Sequence, residues 1–108
     1  MKVHYRSRAL FDLEEIFQYI NQRNPGGARN VIGAIHDAIA QIAEHPLSTE
    51  RTSHPGIHVK VVRRYPYKIF YQVGVDYIEI LHIRHGARRP WLPSGFADAQ
   101  PAYVAGQS

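Results

Sequence analysis

The chain has 108 residues and a mass of 12.3 kDa, which allows one domain with a single hydrophobic core. Its 44% hydrophobic and 20% charged residues are typical of a globular protein, and no apolar run approaches the roughly 20 residues of a membrane span. The N-terminus lacks the apolar stretch of a secretory signal, and without cysteine the chain forms no disulfide. We therefore expect a soluble, cytoplasmic protein with no membrane partner.

The formal net charge of +4 is unevenly distributed along the chain. Residues 1–50 carry five basic and six acidic residues, whereas residues 51–91 carry eight basic residues against two acidic ones. Ten of the 13 basic residues are arginines, whose planar guanidinium binds carboxylates and phosphates in two places. This pattern favours an acidic partner or nucleic acid over the alternative of a solvated basic surface.

A first helix is predicted directly after a short alternating strand at residues 2–5. Ser7 is the candidate N-cap. The large apolar residues that recur at helical spacing, and that we expect to be buried, are Leu10, Leu13, Phe17 and Ile20, flanked by Ile16. Asn24 and Pro25 end this helix, because the residue before a proline avoids the helical region.

A second helix is predicted to begin at the same two residues, with Asn24 as N-cap and Pro25 at the first helical position. Its apolar residues keep i, i+3, i+4 spacing until His45-Pro46; they are Ala28, Val31, Ile32, Ile35, Ala38, Ile39 and Ile42. Because the connection is short, the two helices should form an antiparallel hairpin.

The second half of the chain alternates with a period of two. Residues 46–56 have no apolar period and are predicted to be a surface loop. Three strands follow, and Tyr65-Pro66 and the turn Gly74-Val75-Asp76 separate them into an antiparallel meander. The basic residues that ordinary alternation places on the exposed face of the first of these strands are His58, Lys60 and Arg64.

The last strand has an irregular pattern, since its apolar parity switches between Ile80 and Leu81. Either both of its faces are covered or the strand contains a β-bulge. A bulge would turn His82 and Arg84 toward one exposed face.

The final residues, 92–108, contain one charged residue, Asp98, and scattered apolar ones. Such a segment buries too little surface to order itself alone. We therefore expect a domain over residues 1–91 and a flexible C-terminal tail, the alternative being that Phe96, Tyr103 and Val104 pack on the domain or on a partner.

Three segments resemble the ParE/RelE superfamily of type II toxin-antitoxin toxins, also met as plasmid stabilisation proteins. They are ALFDLEEI at 9–16, YKIFY at 67–71 and, as the most specific, ILHIRHGARRPW at 80–91. The resemblance covers residues 1–91 and is stronger to the ParE branch, whose members inhibit DNA gyrase, than to the RelE branch, whose members cut messenger RNA on the ribosome. It implies an α+β fold of order βααβββ, with a helical hairpin packed on an antiparallel sheet, neutralised by a small, acidic, partly disordered antitoxin.

The ParE resemblance implies a toxin that inhibits gyrase without catalysing a reaction and that uses no cofactor. The residues expected to contact the target are Arg84, His85, Arg88, Arg89 and Trp91. Arg89 departs from the pattern of many ParE relatives, which have an acidic residue there.

The alternative is a ribosome-dependent ribonuclease, which needs a base, an acid and cations around the reacting phosphate. Its candidate residues are Lys60, Arg64, His82, Arg84 and His85, with Lys68 and Arg88 as further cations and Tyr71 or Glu79 as further proton carriers. Glu79 is equally well explained as a cross-strand partner of Lys68. The chain lacks the lysine-rich set of the RelE branch, and it has Trp91, not that branch's C-terminal catalytic tyrosine, near the point where the chain leaves the sheet.

A third alternative is a toxin-fold protein without toxicity that serves only as the partner of an antitoxin. Metal binding is not expected, because the two histidine pairs, His54 with His58 and His82 with His85, do not lie on helices. No helix is basic enough to enter a major groove, which disfavours DNA binding as the primary role.

Overall fold

Two helices pack against one five-stranded sheet in the computed structural model, which describes residues 1–52 and 54–86. The elements in chain order are β1 (Lys2–Tyr5), α1 (Ser7–Asn21), α2 (Pro25–Glu44), β2 (Glu50–Arg51), β3 (His58–Val61), β4 (Tyr67–Val73) and β5 (Tyr77–His85). The expected α+β class is confirmed. Neither helix in the described part of the chain is long and apolar enough to cross a membrane.

The sheet has the strand order β1-β5-β4-β3-β2. Strands β3, β4 and β5 form the expected antiparallel meander. The sheet as a whole is mixed rather than antiparallel, because β1 pairs with β5 in parallel, from Lys2 opposite Tyr77 to Tyr5 opposite Ile80. The segment expected to be a loop contains β2, a two-residue strand antiparallel to the start of β3.

The helical hairpin forms at the expected residues. The Asn24 side chain accepts a hydrogen bond from the Gly27 N–H at 3.0 Å, and Pro25 occupies the first turn of α2, where no donor is needed. The apolar stripe of α2 is confirmed, since six of its seven residues are buried and Ile32 packs partly buried against them.

The buried face of α1 differs from the prediction. Leu10 is 53% exposed and Phe17 37% exposed, whereas Ala9 and Asp12 are buried. The inward face continues through the partly buried Leu13, Ile16 and Ile20. The predicted buried face was therefore rotated by part of a turn from the observed one. The helix packs closely through the small residue Ala9 instead. Ser7 is the first helical residue rather than the N-cap, which is Arg6 and has no side-chain cap.

The core lies mainly between the helices and one sheet face, where Tyr71 and six isoleucines are fully buried. His58, expected to be exposed, is buried and stacks on Tyr71 with ring centroids 5.2 Å apart. The reason is register, because His58 lies directly opposite Tyr71 in the sheet. A smaller cluster of Ile57, Phe70 and Leu81 shows that apolar residues are also buried on the other face of the sheet.

The irregular pattern of β5 corresponds to a bulge, as one of the two interpretations predicted. Tyr71 pairs with Ile80 and Phe70 pairs with His82, so that Leu81 and His82 together oppose one residue of β4. His82 is 4% exposed, however, and does not turn to solvent. The bulge instead directs it toward α1.

Candidate functional site

A cleft of about 670 Å³ lies between α1 and the end of β5. It exists because β1 pairs with β5 only as far as Ile80, after which the chain turns into α1. Its rim includes Arg8, Phe11, Glu15 and Tyr19 of α1, Tyr67 of β4, and Arg84 and His85 of β5. We name this the edge cleft.

Asp12 occupies the floor of the edge cleft, where it is 7% exposed. Its Oδ2 accepts the backbone N–H of Ile83 at 2.9 Å and lies 2.6 Å from Nδ1 of His82. Its Oδ1 accepts a hydrogen bond from Nε of Arg8 at 3.1 Å. An ionised carboxylate only accepts, so the His82 Nδ1 donates to it. These three donors compensate the cost of burying the carboxylate.

The Asp12 network serves a structural need of the sheet. Beyond Ile80 no strand of the described chain pairs with the outer edge of β5, and the Ile83 N–H at that edge requires an acceptor. Asp12 supplies it from α1 and thereby joins the first helix to the last strand. The sequence analysis missed Asp12. An acidic residue that shares a helix face with Ala9, Leu13 and Ile16 is nevertheless a recognisable sign of a buried polar group.

Aromatic rings on the rim of the edge cleft are accessible from solvent. Phe11 is 60% and Tyr19 61% exposed, and their spacing of eight residues places them on one side of α1. The Arg23 guanidinium lies 4.1 Å from the centroid of the Tyr19 ring, and Tyr67 meets His85 edge to face at 5.4 Å. Cationic and aromatic groups are thus interleaved around the cleft.

Arg84 and His85, two of the five residues expected to contact the target, both line the edge cleft. The other three, Arg88, Arg89 and Trp91, lie outside the described residues, as does the tail. His82 is also at the edge cleft, but in its floor.

Lys60 and Arg64 are found in a different cleft, of about 660 Å³, between α2 and the turn after β3. Asn30, Asp37 and Gln41 line it from α2, and Lys60, Val61, Arg63, Arg64 and Tyr65 line it from the sheet. We name this the basic cleft. The structure therefore divides the candidate ribonuclease residues between two clefts.

The two further proton carriers considered for a ribonuclease have structural partners. The Tyr71 hydroxyl donates to the Pro46 carbonyl at 2.6 Å and contacts Thr49, and burial raises its pKa above the ordinary value. Glu79 lies opposite Gln72, not Lys68, which corrects the expected pair. It binds Arg6 at 2.9 Å and Gln72 at 2.8 Å.

The ionisation of Glu79 reflects these partners. Burial alone would raise the pKa of the carboxyl group, but the hydrogen bonds from Arg6 and Gln72 and the nearby positive charges outweigh it, so the pKa is lowered. Glu79 is therefore a structural anion at neutral pH. Among residues 1–52 and 54–86, no group of three or more potential ligands is arranged to hold a metal ion.

Comparison with known families identifies the chain. Residues 3–90 match the family model of the ParE toxin of the type II toxin-antitoxin system parDE. The chain belongs to the ParE toxin family. It is also 32% identical over 90 residues to the protein named "Putative toxin Y4kP" of Sinorhizobium fredii, a match that covers 83% of this chain and 92% of the relative.

Solved structures show the same fold at low sequence identity. A structure described as a chromosomal ParDE system of P. aeruginosa aligns with a TM-score of 0.71 at 20% identity, covering 79% of this chain and 95% of that one. The RelBE2 toxin-antitoxin complex of Mycobacterium tuberculosis aligns with a TM-score of 0.56 at 20% identity, covering 81% and 92%. The isolated E. coli RelE toxin gives 0.56 at 13% identity, covering 94% and 98%. These likenesses concern the fold. The family model over residues 3–90 shows that this chain is a ParE toxin of a type II toxin-antitoxin system.

Proposed function

We propose that this ParE-family toxin inhibits DNA gyrase and that it binds the enzyme through the edge cleft and the residues that follow β5. The contact residues in this proposal are Arg84 and His85 at the rim of the cleft, continued by Arg88, Arg89 and Trp91. It catalyses no reaction in this role.

The observation that supports gyrase over RNA is the division of the cations between two clefts. Cleavage at a 2′-hydroxyl needs acid, base and cations around one phosphate. Here Lys60 and Arg64 line the basic cleft, whereas His82, Arg84 and His85 lie at the edge cleft. His82 is 4% exposed and bound to Asp12, which leaves little surface through which it could meet an RNA strand.

The chemistry of the edge cleft fits tight binding to a large macromolecular surface. Forked arginine donors bind carboxylates or phosphates, and exposed aromatic rings supply anchors that lose little conformational entropy when they bind. Asp12 holds α1 against β5, so both sides of the cleft are positioned before the target arrives. A gyrase surface or its bound DNA would meet a rigid site rather than one assembled on contact.

The antitoxin is the expected regulator, because two of the structural relatives are described as toxin-antitoxin systems. Leu10 and Phe11, 53% and 60% exposed, form an apolar face on α1 that a folding antitoxin segment could cover. An antitoxin bound there would also obstruct the edge cleft, since Phe11 belongs to both surfaces.

The decisive experiment is a supercoiling assay with purified gyrase and relaxed plasmid. The toxin should block supercoiling and increase cleaved DNA complexes, and the cognate antitoxin should reverse both effects. Replacing Arg88 and Arg89 together by alanine should weaken inhibition about tenfold or more, since each charge-assisted contact contributes roughly 1.5–3 kcal/mol. Lys60→Ala, in the basic cleft, is the matched control and should inhibit normally.

Translation provides the opposing measurement. The ribonuclease would replace this proposal if induction of the toxin cut messages at codon spacing and left gyrase unimpaired. In that case Lys60→Ala should also abolish the cleavage. A folded toxin with neither effect would instead favour an inactive partner of the antitoxin.

A further inference from the structure

The wall that α1 contributes to the edge cleft has a regular chemical pattern. Phe11, Glu15 and Tyr19 follow one another at i, i+4 spacing and all line the cleft, so they form one stripe along the helix. The two rings are separated by about 12 Å of helical rise, with the carboxylate between them. Phe11 is 60% and Tyr19 61% exposed. Two flat apolar surfaces are therefore presented in a row to whatever enters the cleft.

Positive charges stand at the margin of the cleft and negative charge lies further in. The Arg23 guanidinium is held over the Tyr19 ring, 4.1 Å from its centroid, and its Nη1 donates to the Tyr19 carbonyl at 2.9 Å. Arg84 lines the opposite wall, on β5. The floor, by contrast, is the buried carboxylate of Asp12. A ligand that fits this arrangement carries its negative groups along the rim and turns neutral groups inward.

Glu15 supplies an acceptor between the two rings. Within residues 1–52 and 54–86, its carboxylate makes no ion pair and no hydrogen bond. Both oxygens of Asp12 are already occupied, by Arg8, His82 and the Ile83 N–H. Glu15 is therefore the carboxylate of the cleft that can accept a hydrogen bond from a ligand. It also repels any ligand whose own carboxylates or phosphates point inward.

A single strand of nucleic acid has the required distribution of groups. Its phosphates follow one side, and its flat, uncharged bases can turn to the other and stack on aromatic rings. In a duplex the bases are stacked on their neighbours and unavailable to these rings. The helix is also poorly suited to a groove, because α1 carries Asp12, Glu14 and Glu15 against Arg8 as its one basic residue. An acidic peptide would bring carboxylates toward Glu15 and the floor.

We propose that the edge cleft binds a single-stranded segment of DNA. Two bases stack on Phe11 and Tyr19, and the phosphates lie at Arg23 and Arg84. Glu15 accepts a hydrogen bond from an exocyclic amino group, which cytosine has and thymine lacks. The inference rests on the proposed action on gyrase. It makes the DNA strand that gyrase holds, rather than the protein surface of gyrase, the part of the complex that enters the cleft.

The first test measures binding of a short fluorescein-labelled oligodeoxycytidylate to the full chain by fluorescence polarisation. Phe11→Leu and Tyr19→Leu keep an apolar side chain that favours a helix but remove the ring, and each should weaken binding about fivefold or more. Phe17→Leu is the matched control, because Phe17 is on the same helix but does not line the cleft. It should leave affinity unchanged. Unchanged affinity in both cleft variants, or no binding by the unmodified chain, would overturn the proposal.

Glu15 and Arg23 test the two polar parts of the site. The unmodified chain should bind oligodeoxycytidylate about threefold or more tightly than oligothymidylate, and Glu15→Ala should abolish this preference. Arg23→Gln should weaken both complexes and reduce the slope of log affinity against log salt by about 0.7, as the loss of one phosphate contact to a single strand requires. A base preference that survives in Glu15→Ala, or an unchanged salt slope in Arg23→Gln, would contradict the assigned contacts.

The class of ligand is decided by competition. Unlabelled oligodeoxycytidylate should displace the labelled strand at least tenfold better than its duplex with oligodeoxyguanylate or than oligoglutamate of equal charge. Better displacement by the duplex or by the peptide would overturn the assignment to a single strand. Tighter binding of oligocytidylate RNA would overturn the assignment to DNA.

A supercoiling assay separates this inference from the proposed function. Tyr19→Leu should weaken inhibition of gyrase by the same factor as it weakens strand binding. If the toxin inhibits gyrase and Tyr19→Leu inhibits equally well, the strand-binding role is wrong while the action on gyrase stands. If the strand binds as expected and gyrase is unaffected, the proposed function is wrong while the cleft remains a single-strand site.

Discussion

The edge cleft and the basic cleft hold their charged groups in opposite ways. In the edge cleft, buried Asp12 binds Arg8, His82 and the Ile83 backbone, so that charge stabilises the fold. In the basic cleft, Lys60, Arg63 and Arg64 have no ion pair within the described residues, and Arg64 lies in a strained conformation. One small domain therefore uses charge to fix its architecture in one cleft and leaves cations outside any ion pair in the other. Substitutions in the two clefts should separate these two arrangements.

The largest effect is expected at Asp12. Asp12→Ala leaves the Ile83 N–H and His82 buried without their acceptor, and breaking a buried network of this kind costs about 3 kcal/mol of unfolding free energy. Urea denaturation followed by circular dichroism measures the loss. Asp37→Ala removes the carboxylate of the basic cleft and should change stability by less than about 0.5 kcal/mol. Equal losses in the two variants would erase the distinction between the clefts.

An intermediate effect is expected at Glu79. Like Asp12 in the edge cleft, its carboxylate is paired with an arginine, Arg6. Glu79→Gln should lower the unfolding free energy by about 1 kcal/mol at pH 7, since the charge-assisted hydrogen bonds weaken. Because the folded protein lowers the pKa of Glu79 below its ordinary value of 4.5, the stabilisation is complete above that value. It is lost as the pH falls through the lower pKa of the folded state.

The measurement for Glu79 is therefore the stability difference between the two proteins at several pH values. The difference should be constant near neutrality and should shrink in acid. Glu44→Gln, at an exposed position at the end of α2, provides the control and should show little change. A difference that grows as the pH falls would mean that the Arg6 pair does not control the ionisation of Glu79.

The smallest effect is expected from removing residues 95–108, which tests whether either cleft depends on the C-terminal segment. This truncation removes one acidic residue and little periodic apolar sequence, so stability should change by less than about 0.5 kcal/mol. Thermal denaturation measures the change. A cooperative loss of stability would show that Phe96 or Tyr103 contributes to the core and that the domain extends beyond residue 91.

Sequence periodicity located the hairpin and the meander because these elements depend on local pattern. Asn24 caps α2, and the parity switch at Ile80 and Leu81 indicated the bulge. Sequence periodicity gave the wrong buried face at α1. It assigned the large residues Leu10 and Phe17 to the core but not the small Ala9. The inward face of that helix is set by its packing against α2 and β5, and helical spacing contains no information about these tertiary contacts.

The candidate site was predictable only in part, for a related reason. Arg84 and His85, which the sequence analysis grouped as contact residues, both line the edge cleft. The burial of His82 depends on Asp12, 70 residues earlier in the chain, and no local signal joins the two. The separation of Lys60 and Arg64 from this surface likewise depends on the packing of α2 beside β3.

The parallel pairing of β1 with β5 also has a consequence for the synthesis of the toxin. Arg6 meets Glu79 across 73 positions of sequence, so the first strand has no partner until the last strand has emerged from the ribosome. Contacts this distant in sequence form late, after the costly closure of a long loop. The nascent chain therefore cannot complete the edge cleft before β5 has been synthesised. On the proposal that this cleft binds the target, a chain that stops before β5 would be inactive.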